Sequence, residues 1–198
     1  EWVVTQFATA RIGLVLVNIN PAYRTTELEY ALNKVGCRAL VMARRHKSSD
    51  YLGMLGEIAP EIHFKGASEV LDSVRLPGLK HVVLLGAGPV PPRCVSYAQV
   101  VALGGPAQKA RLDALTAALD PDDAINIQFT SGTTGAPKGA TLSHFNIVNN
   151  ARYCAKAMAL GPQDRLCIPV PLYHCFGMVL GNLACTTHAA CVVVPAPS

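Results

Sequence analysis

Short apolar runs alternate with helix-length stretches along nearly the whole chain, and that rhythm restricts the fold more than any other feature of the sequence. "LVLVNI" (Leu14 to Ile19) is a continuous apolar run ended by Pro21, as a buried strand would be. "TTELEYALNKVG" follows as a helix, with Thr26 and Glu29 at capping-box spacing and Gly36 at its exit. A strand "RALVMA", a helix "SDYLGMLGEIA" and a strand "KHVVLLG" come next, with turn chemistry in "PGLK" and "GAGPVPP" on either side of the last. "AQKARLDALTAAL" has helical spacing and breaks at "PDD" before "INIQFT", where Ile125, Ile127 and Phe129 alternate with polar neighbours as in a strand. "EWVVTQFATARIG" at the start also reads as helix.

Beyond residue 140 the rhythm continues. Ser143 is a good N-cap for "HFNIVNNARYCAKAMAL", in which Ile147, Ala151, Cys154, Ala155 and Met158 share a face, and Gly161 and Pro162 end it. A strand "RLCIPV", a loop "PLYHCFG", a helix "MVLGNLACTTHA" and a strand "ACVVVP" follow. Such alternation predicts an α/β fold, a mostly parallel sheet flanked by helices.

Composition excludes several classes. With 51% hydrophobic and 15% charged residues in 198, the chain can bury a core and carries no signature of disorder. The net charge is +4 and the basic residues are scattered, the densest run being "RRHK" at Arg44 to Lys47, which reads as a solvated loop; no nucleic-acid partner is expected. No apolar run approaches the roughly 18 residues of a membrane span. Seven cysteines, an odd number without a regular framework, favour reduced thiols. Cys185, His188 and Cys191 read C-x-x-H-x-x-C, with Cys175 as the nearest fourth ligand, but small buried side chains explain the spacing better than a metal does. No metal ligand is assigned. His46, His63 and His81 carry no chemistry the sequence supports, and capping and packing explain His144 and Asn146.

One loop stands apart. "TSGTTGAPKG", Thr130 to Gly139, holds glycines at 132, 135 and 139, which allow backbone conformations closed to other residues and let a ligand approach the main chain. Exposed backbone N–H groups can form a concave anion site; Thr130, Ser131, Thr133 and Thr134 add hydroxyl donors, and Lys138 adds a point charge suited to phosphate. The string is not the common P-loop, because Pro137 precedes the lysine and Gly139, not Ser or Thr, follows it. That spacing disfavours an ordinary P-loop kinase. A polar hairpin loop joining "INIQFT" to "KGATLS" is the plain alternative.

"TSGTTGAPKGATLSH" resembles the phosphate-binding signature of the adenylate-forming (AMP-binding) superfamily, which includes acyl-CoA synthetases, aryl-CoA ligases, firefly luciferase and peptide-synthetase adenylation domains. "PLYHCFGM", Pro171 to Met178, resembles the aromatic and histidine loop beside that family's acyl and adenylate site. "NPAYRTTELEYALNKVGCRALV" resembles the opening of its large N-terminal domain. Within the family, "KGATLSHFNIVNNA" and "PLYHCFG" look most like medium- and long-chain fatty-acyl-CoA synthetases.

The resemblance implies a two-step reaction. A carboxylate attacks the α-phosphate of Mg-ATP to give acyl-AMP and pyrophosphate, and the coenzyme A thiol then displaces AMP. The implied phosphate contacts are Thr130, Ser131, Gly132, Thr133, Thr134, Gly135, Pro137 and Lys138. Lys138 and His174 are the implied catalytic residues, with Tyr173 and Phe176 in the acyl pocket. ATP, Mg2+ and coenzyme A are the implied cofactor and co-substrates, a fatty acid the implied substrate, and a homo-oligomer is left open. The implied compartment is the cytoplasm, or the mitochondrial matrix where an upstream targeting segment has been removed.

Only 24 residues follow His174, so the family's acidic Tyr-Gly-x-Thr-Glu motif, ribose aspartate, hinge and C-terminal lysine domain are not in this chain. The chain is therefore expected to be part of the large N-terminal domain, inactive alone. Three readings stay open: an acyl-CoA synthetase in its full length, an aryl-CoA ligase or other adenylating enzyme of the same family, or a non-catalytic partial domain.

Overall fold

The computed structural model describes residues 1–66, 70–130 and 137–195. The chain divides into two compact units, one formed by residues 1–20 and 112–198 and the other by Pro21–Arg111.

In chain order the elements are α1 (Trp2–Arg11), β1 (Leu16–Asn18), α2 (Thr25–Lys34), β2 (Ala39–Ala43), β3 (Arg45–His46), β4 (Ser49–Asp50) and α3 (Tyr51–Ile58). A 3-10 turn (Pro60–His63) precedes β5 (His81–Leu85), β6 (Val95–Ser96), α4 (Tyr97–Ala102) and α5 (Pro106–Ala117). Then come β7 (Ala124–Thr130), β8 (Lys138–Ser143), α6 (His144–Ala157), β9 (Arg165–Cys167), a π-helix (Phe176–Leu183), α7 (Ala184–Thr187) and β10 (Cys191–Val193). Helices and mostly parallel strands alternate, as the apolar rhythm requires.

The Pro21–Arg111 unit is built on a parallel sheet of order β2-β5-β6 and a dry aliphatic core. Leu55, Ile58, Ile62, Leu71, Leu76, Leu79, Val82 and Leu84 are buried together there, with Leu32 from α2. Helix α2 starts two residues earlier than the Thr26/Glu29 spacing suggests, with Arg24 as N-cap and Glu27 in the capping box. The Glu27 carboxylate accepts the Arg24 backbone N–H at 3.0 Å, which frees Glu29 to pair with Arg75. The exit is as expected: Gly36 takes φ +61° and Cys37 N–H reaches back to the Leu32 carbonyl at 2.9 Å. "RRHK" forms the β3–β4 hairpin, with Lys47 at φ +52° in its turn.

The other unit holds a three-stranded sheet of order β1-β7-β8 and the parallel pair β9-β10. Strand β1 lies parallel to β7, with Asn18 opposite Gln128, and β8 returns antiparallel to β7. Ser143 caps α6 by accepting the Asn146 N–H at 3.3 Å, and Ile147, Ala151 and Ala155 are its buried face. Met158 lies outside that face, 44% exposed, and Ala159 at φ +53°, not Gly161, turns the chain out of the helix. Helix α5 has the expected spacing but buries none of its residues.

"INIQFT" departs from a simple one-faced strand. Ile125 is buried, yet so is Asn126 at 2% exposure, so both faces of β7 are covered near its start. The helix expected at "MVLGNLACTTHA" begins two residues earlier, taking in Phe176 and Gly177 of the expected loop, and is π-helical over Phe176–Leu183 before it tightens into α7.

Candidate functional site

The two motifs singled out in the sequence lie in one unit, at the ends of elements that share a core. Strands β7 and β8 form a hairpin whose last described pair is Thr130 with Lys138, and the Thr130 hydroxyl donates to the Lys138 carbonyl at 3.4 Å. The hairpin alternative for this loop and the phosphate reading are thus compatible, since the strands present both Thr130 and Lys138 at one end. Both side chains are exposed, and Pro137 is half-buried. Ser131, Gly132, Thr133, Thr134 and Gly135 lie outside the described residues.

The second motif is a tight loop held by its glycine. A Cβ on Gly177 would lie 2.8 Å from the Pro171 carbonyl carbon and 3.0 Å from the Val170 oxygen, so only glycine fits where the π-helix starts against the loop's own beginning. Gly181, one turn on, meets Ile168 as closely: an added Cβ would be 2.7 Å from its Cδ1. His174 N–H donates to the Pro171 carbonyl at 3.2 Å, and Met178 N–H to the His174 carbonyl at 3.0 Å.

Within this loop His174 is exposed and its ring is oriented. Nδ1 accepts the Phe176 backbone N–H at 3.1 Å, so the proton of the neutral ring sits on Nε2 and can be offered outward. The Cys175 thiol lies 3.7 Å from the same Nδ1. Tyr173 is half-buried, and Phe176 is 53% exposed. Such an aromatic surface can take an apolar chain.

Beneath the loop lies a cluster the sequence reading missed. Met178 is fully buried, and its thioether accepts the side-chain amides of Asn18 on β1 and Gln128 on β7, each at 3.6 Å. Gln128 also donates to Asn126 Oδ1 at 2.9 Å. Nearby in the same unit, Asn182 of the π-helix donates to Gln6 of α1 at 2.8 Å, both residues buried. One signal was available: amides at alternate positions in "INIQ", inside an otherwise apolar strand. These contacts tie β7, which ends in Thr130, to the helix that follows His174.

Other candidates found no chemistry. All seven cysteines are free thiols, and burial pushes the Cys94 thiol up to about 11 despite the nearby Arg44 charge. Among the described residues no three His, Cys, Asp or Glu side chains gather as a metal site. His144 Nε2 is buried without a partner among them. No helix among them is long and apolar enough to cross a membrane.

The AMP-binding enzyme family matches residues 1–198. The chain is 44% identical over 201 residues to the mitochondrial medium-chain acyl-CoA ligase ACSF2 of Bos taurus, covering 99% of this chain and 32% of that protein. Among solved structures, the apo form of MbtA from Mycobacterium smegmatis superposes with a TM-score of 0.75 at 26% identity, over 98% of this chain and 32% of that one. The anthranilate CoA ligase AuaEII in complex with anthranoyl-AMP gives 0.72 at 23% identity, over 100% and 33%. The chain spans about a third of the length of the curated relatives it matches.

Proposed function

The chain belongs to the AMP-binding enzyme family, and from that premise we propose that the full-length protein is an acid–thiol ligase that converts a fatty acid to acyl-AMP with ATP and then to acyl-CoA. The observation that carries the reading is the union, in one unit, of the Thr130–Lys138 hairpin end with the oriented His174 loop through the buried Met178 and Gln128. A phosphate-facing cation and an imidazole N–H donor are what adenylation needs: charge to receive the departing pyrophosphate, and an N–H to hold the attacking carboxylate or the α-phosphate oxygens.

In this reading Lys138 Nζ faces the phosphates with the hydroxyl of Thr130 and the donors of Ser131, Gly132, Thr133, Thr134 and Gly135, and Pro137 stiffens the approach to the lysine. His174 donates from Nε2. Tyr173 and Phe176 border the acyl chain. The aliphatic assignment is supported by the ligase named in the relatives as medium-chain, and their mitochondrial label supports the matrix over the cytoplasm.

The test is carboxylate-dependent exchange of labelled pyrophosphate into ATP by the full-length protein, with aliphatic acids of graded length and an aromatic acid, followed by thioester formation on adding coenzyme A. Exchange stimulated by aliphatic acids is expected. Exchange with the aromatic acid alone would move the reading to an aryl-CoA ligase, and none with any acid would leave a non-catalytic domain.

A further inference from the structure

The thioether under the loop does more than fill space. Methionine sulfur is a weak acceptor, and a buried amide is usually matched with something stronger. Here one sulfur receives two amide donors from two adjacent strands whose donor residues, Asn18 and Gln128, are register partners. The same residue's backbone N–H closes the turn on the His174 carbonyl at 3.0 Å. Immediately before it, Gly177 lets the start of the helix pack directly against the backbone of Pro171 and Val170, the loop's own beginning. The helix is π-helical at this point, a wider turn often found at functional sites.

We propose that Met178 is a positioning residue for adenylation: its thioether, held by Asn18 and Gln128, fixes the height and rotation of the His174 turn over the β1–β7 sheet. The proposal rests on the adenylation reading above. Its physical content is a single rigid link. Sideways movement of the sulfur breaks two amide contacts, and the turn that presents His174 moves with it. Leucine packs like methionine and differs mainly in offering no acceptor. Glutamine has similar reach and restores one.

The experiment uses the full-length enzyme and reads pyrophosphate exchange, thermal stability and the KM for ATP. Met178→Leu is expected to lower kcat for exchange about tenfold, because misplacement of a reacting group by a fraction of an ångström carries costs of this order. The KM for ATP should stay within about twofold, since the Met178 side chain is fully buried and offers no surface to a bound nucleotide. Met178→Gln should recover most of the lost rate. Gln128→Leu, approaching from the sheet, should give a similar loss while also removing the bond to Asn126, and the double variant Met178→Leu/Gln128→Leu should lose clearly less than the sum of the two single losses, because the two residues share one contact.

Full activity in Met178→Leu would overturn the proposal, as would additive losses in the double variant. So would a rate that follows thermal stability across all four proteins, Met178→Gln included, since that is the pattern of mere packing. Should Met178→Leu fail to fold, Met178→Gln and Gln128→Leu are each compared with wild type, and a loss in both that tracks stability overturns the proposal; should Gln128→Leu fail instead, Met178→Leu and Met178→Gln decide in the same way. If wild type itself shows no acid-dependent exchange, the adenylation reading fails instead, which separates the two.

Discussion

The two units solve the same packing problem with different materials. In Pro21–Arg111 the core is nearly pure aliphatic, Leu55, Ile62, Leu71 and Leu84 being fully buried, and Ser73 is its one buried polar residue among those described. In the other unit Gln6, Asn18, Asn126 and Asn182 are buried beside Ile125, Met178 and Leu183. A buried amide costs free energy unless it is matched, whereas an aliphatic side chain asks only for fit. The first unit is therefore built for stability, and the second accepts polar groups in its interior at the place where both sequence motifs meet. Polar matching fixes direction as well as distance, which apolar packing does not.

The largest effect that tests this contrast is a cavity in the dry core. Leu84→Ala, in the middle strand of that sheet, should cost about 2–5 kcal/mol of unfolding free energy. Turnover per folded molecule should hardly change, as read from denaturant melts and exchange rates on the same samples. A large loss of intrinsic rate would mean that the aliphatic unit also shapes the chemistry.

Next comes the charge in the polar unit. Lys138→Ala should slow acyl-AMP formation by roughly 2–4 kcal/mol of transition-state stabilisation, the range for losing one preorganised group. Thioester formation from supplied acyl-AMP should change far less, because in the proposed reading the phosphates that Lys138 would face have already left. Equal slowing of both half-reactions, measured separately by single-turnover assays, would remove it from the first step.

Gly177→Ala is a smaller perturbation that acts through shape. Its methyl group must displace the backbone at Pro171, a kind of overpacking that costs about 1–3 kcal/mol. The expected result is lower stability together with slower exchange, since the displaced loop carries His174. A variant with wild-type exchange would show that this contact serves packing alone.

The smallest effect belongs to the surface of the aliphatic unit. The Arg75 guanidinium bonds the Glu29 carboxylate through Nε at 2.9 Å, and that bond holds the Glu29 pKa below its ordinary value. A lowered carboxylate pKa gives stability that is fully present above the unfolded value and is lost as pH falls through the folded one. Thermal unfolding followed from neutral pH down through the ordinary glutamate range should therefore show a slightly steeper acid decline in wild type than in Arg75→Gln. The difference should shrink with added salt. Parallel declines would mean that the pair adds nothing.

The sequence by itself determined most element types and the position of the two motifs. Apolar run length and helical spacing depend on local periodicity, and the strings around Lys138 and His174 are contiguous, so both are legible along one dimension. The exit of α2 at Gly36 was legible as well, whereas that of α6 was not, since Ala159 and not Gly161 takes the positive φ. What only the tertiary structure decided is what depends on residues far apart in the chain. Asn18, Gln128 and Met178 span 160 positions, and nothing in the string "INIQFT" says which face of the strand will be covered, or by what. The capping partner of α2 shifted for the same reason, since Glu29 found Arg75 46 residues away. The need for glycine at 177 came from a backbone that returns on itself, and the helix after it widened where Met178 reaches the amides of two strands. Local free energies choose helices and strands, whereas the matching of buried polar groups is settled only when the strands that carry them are side by side.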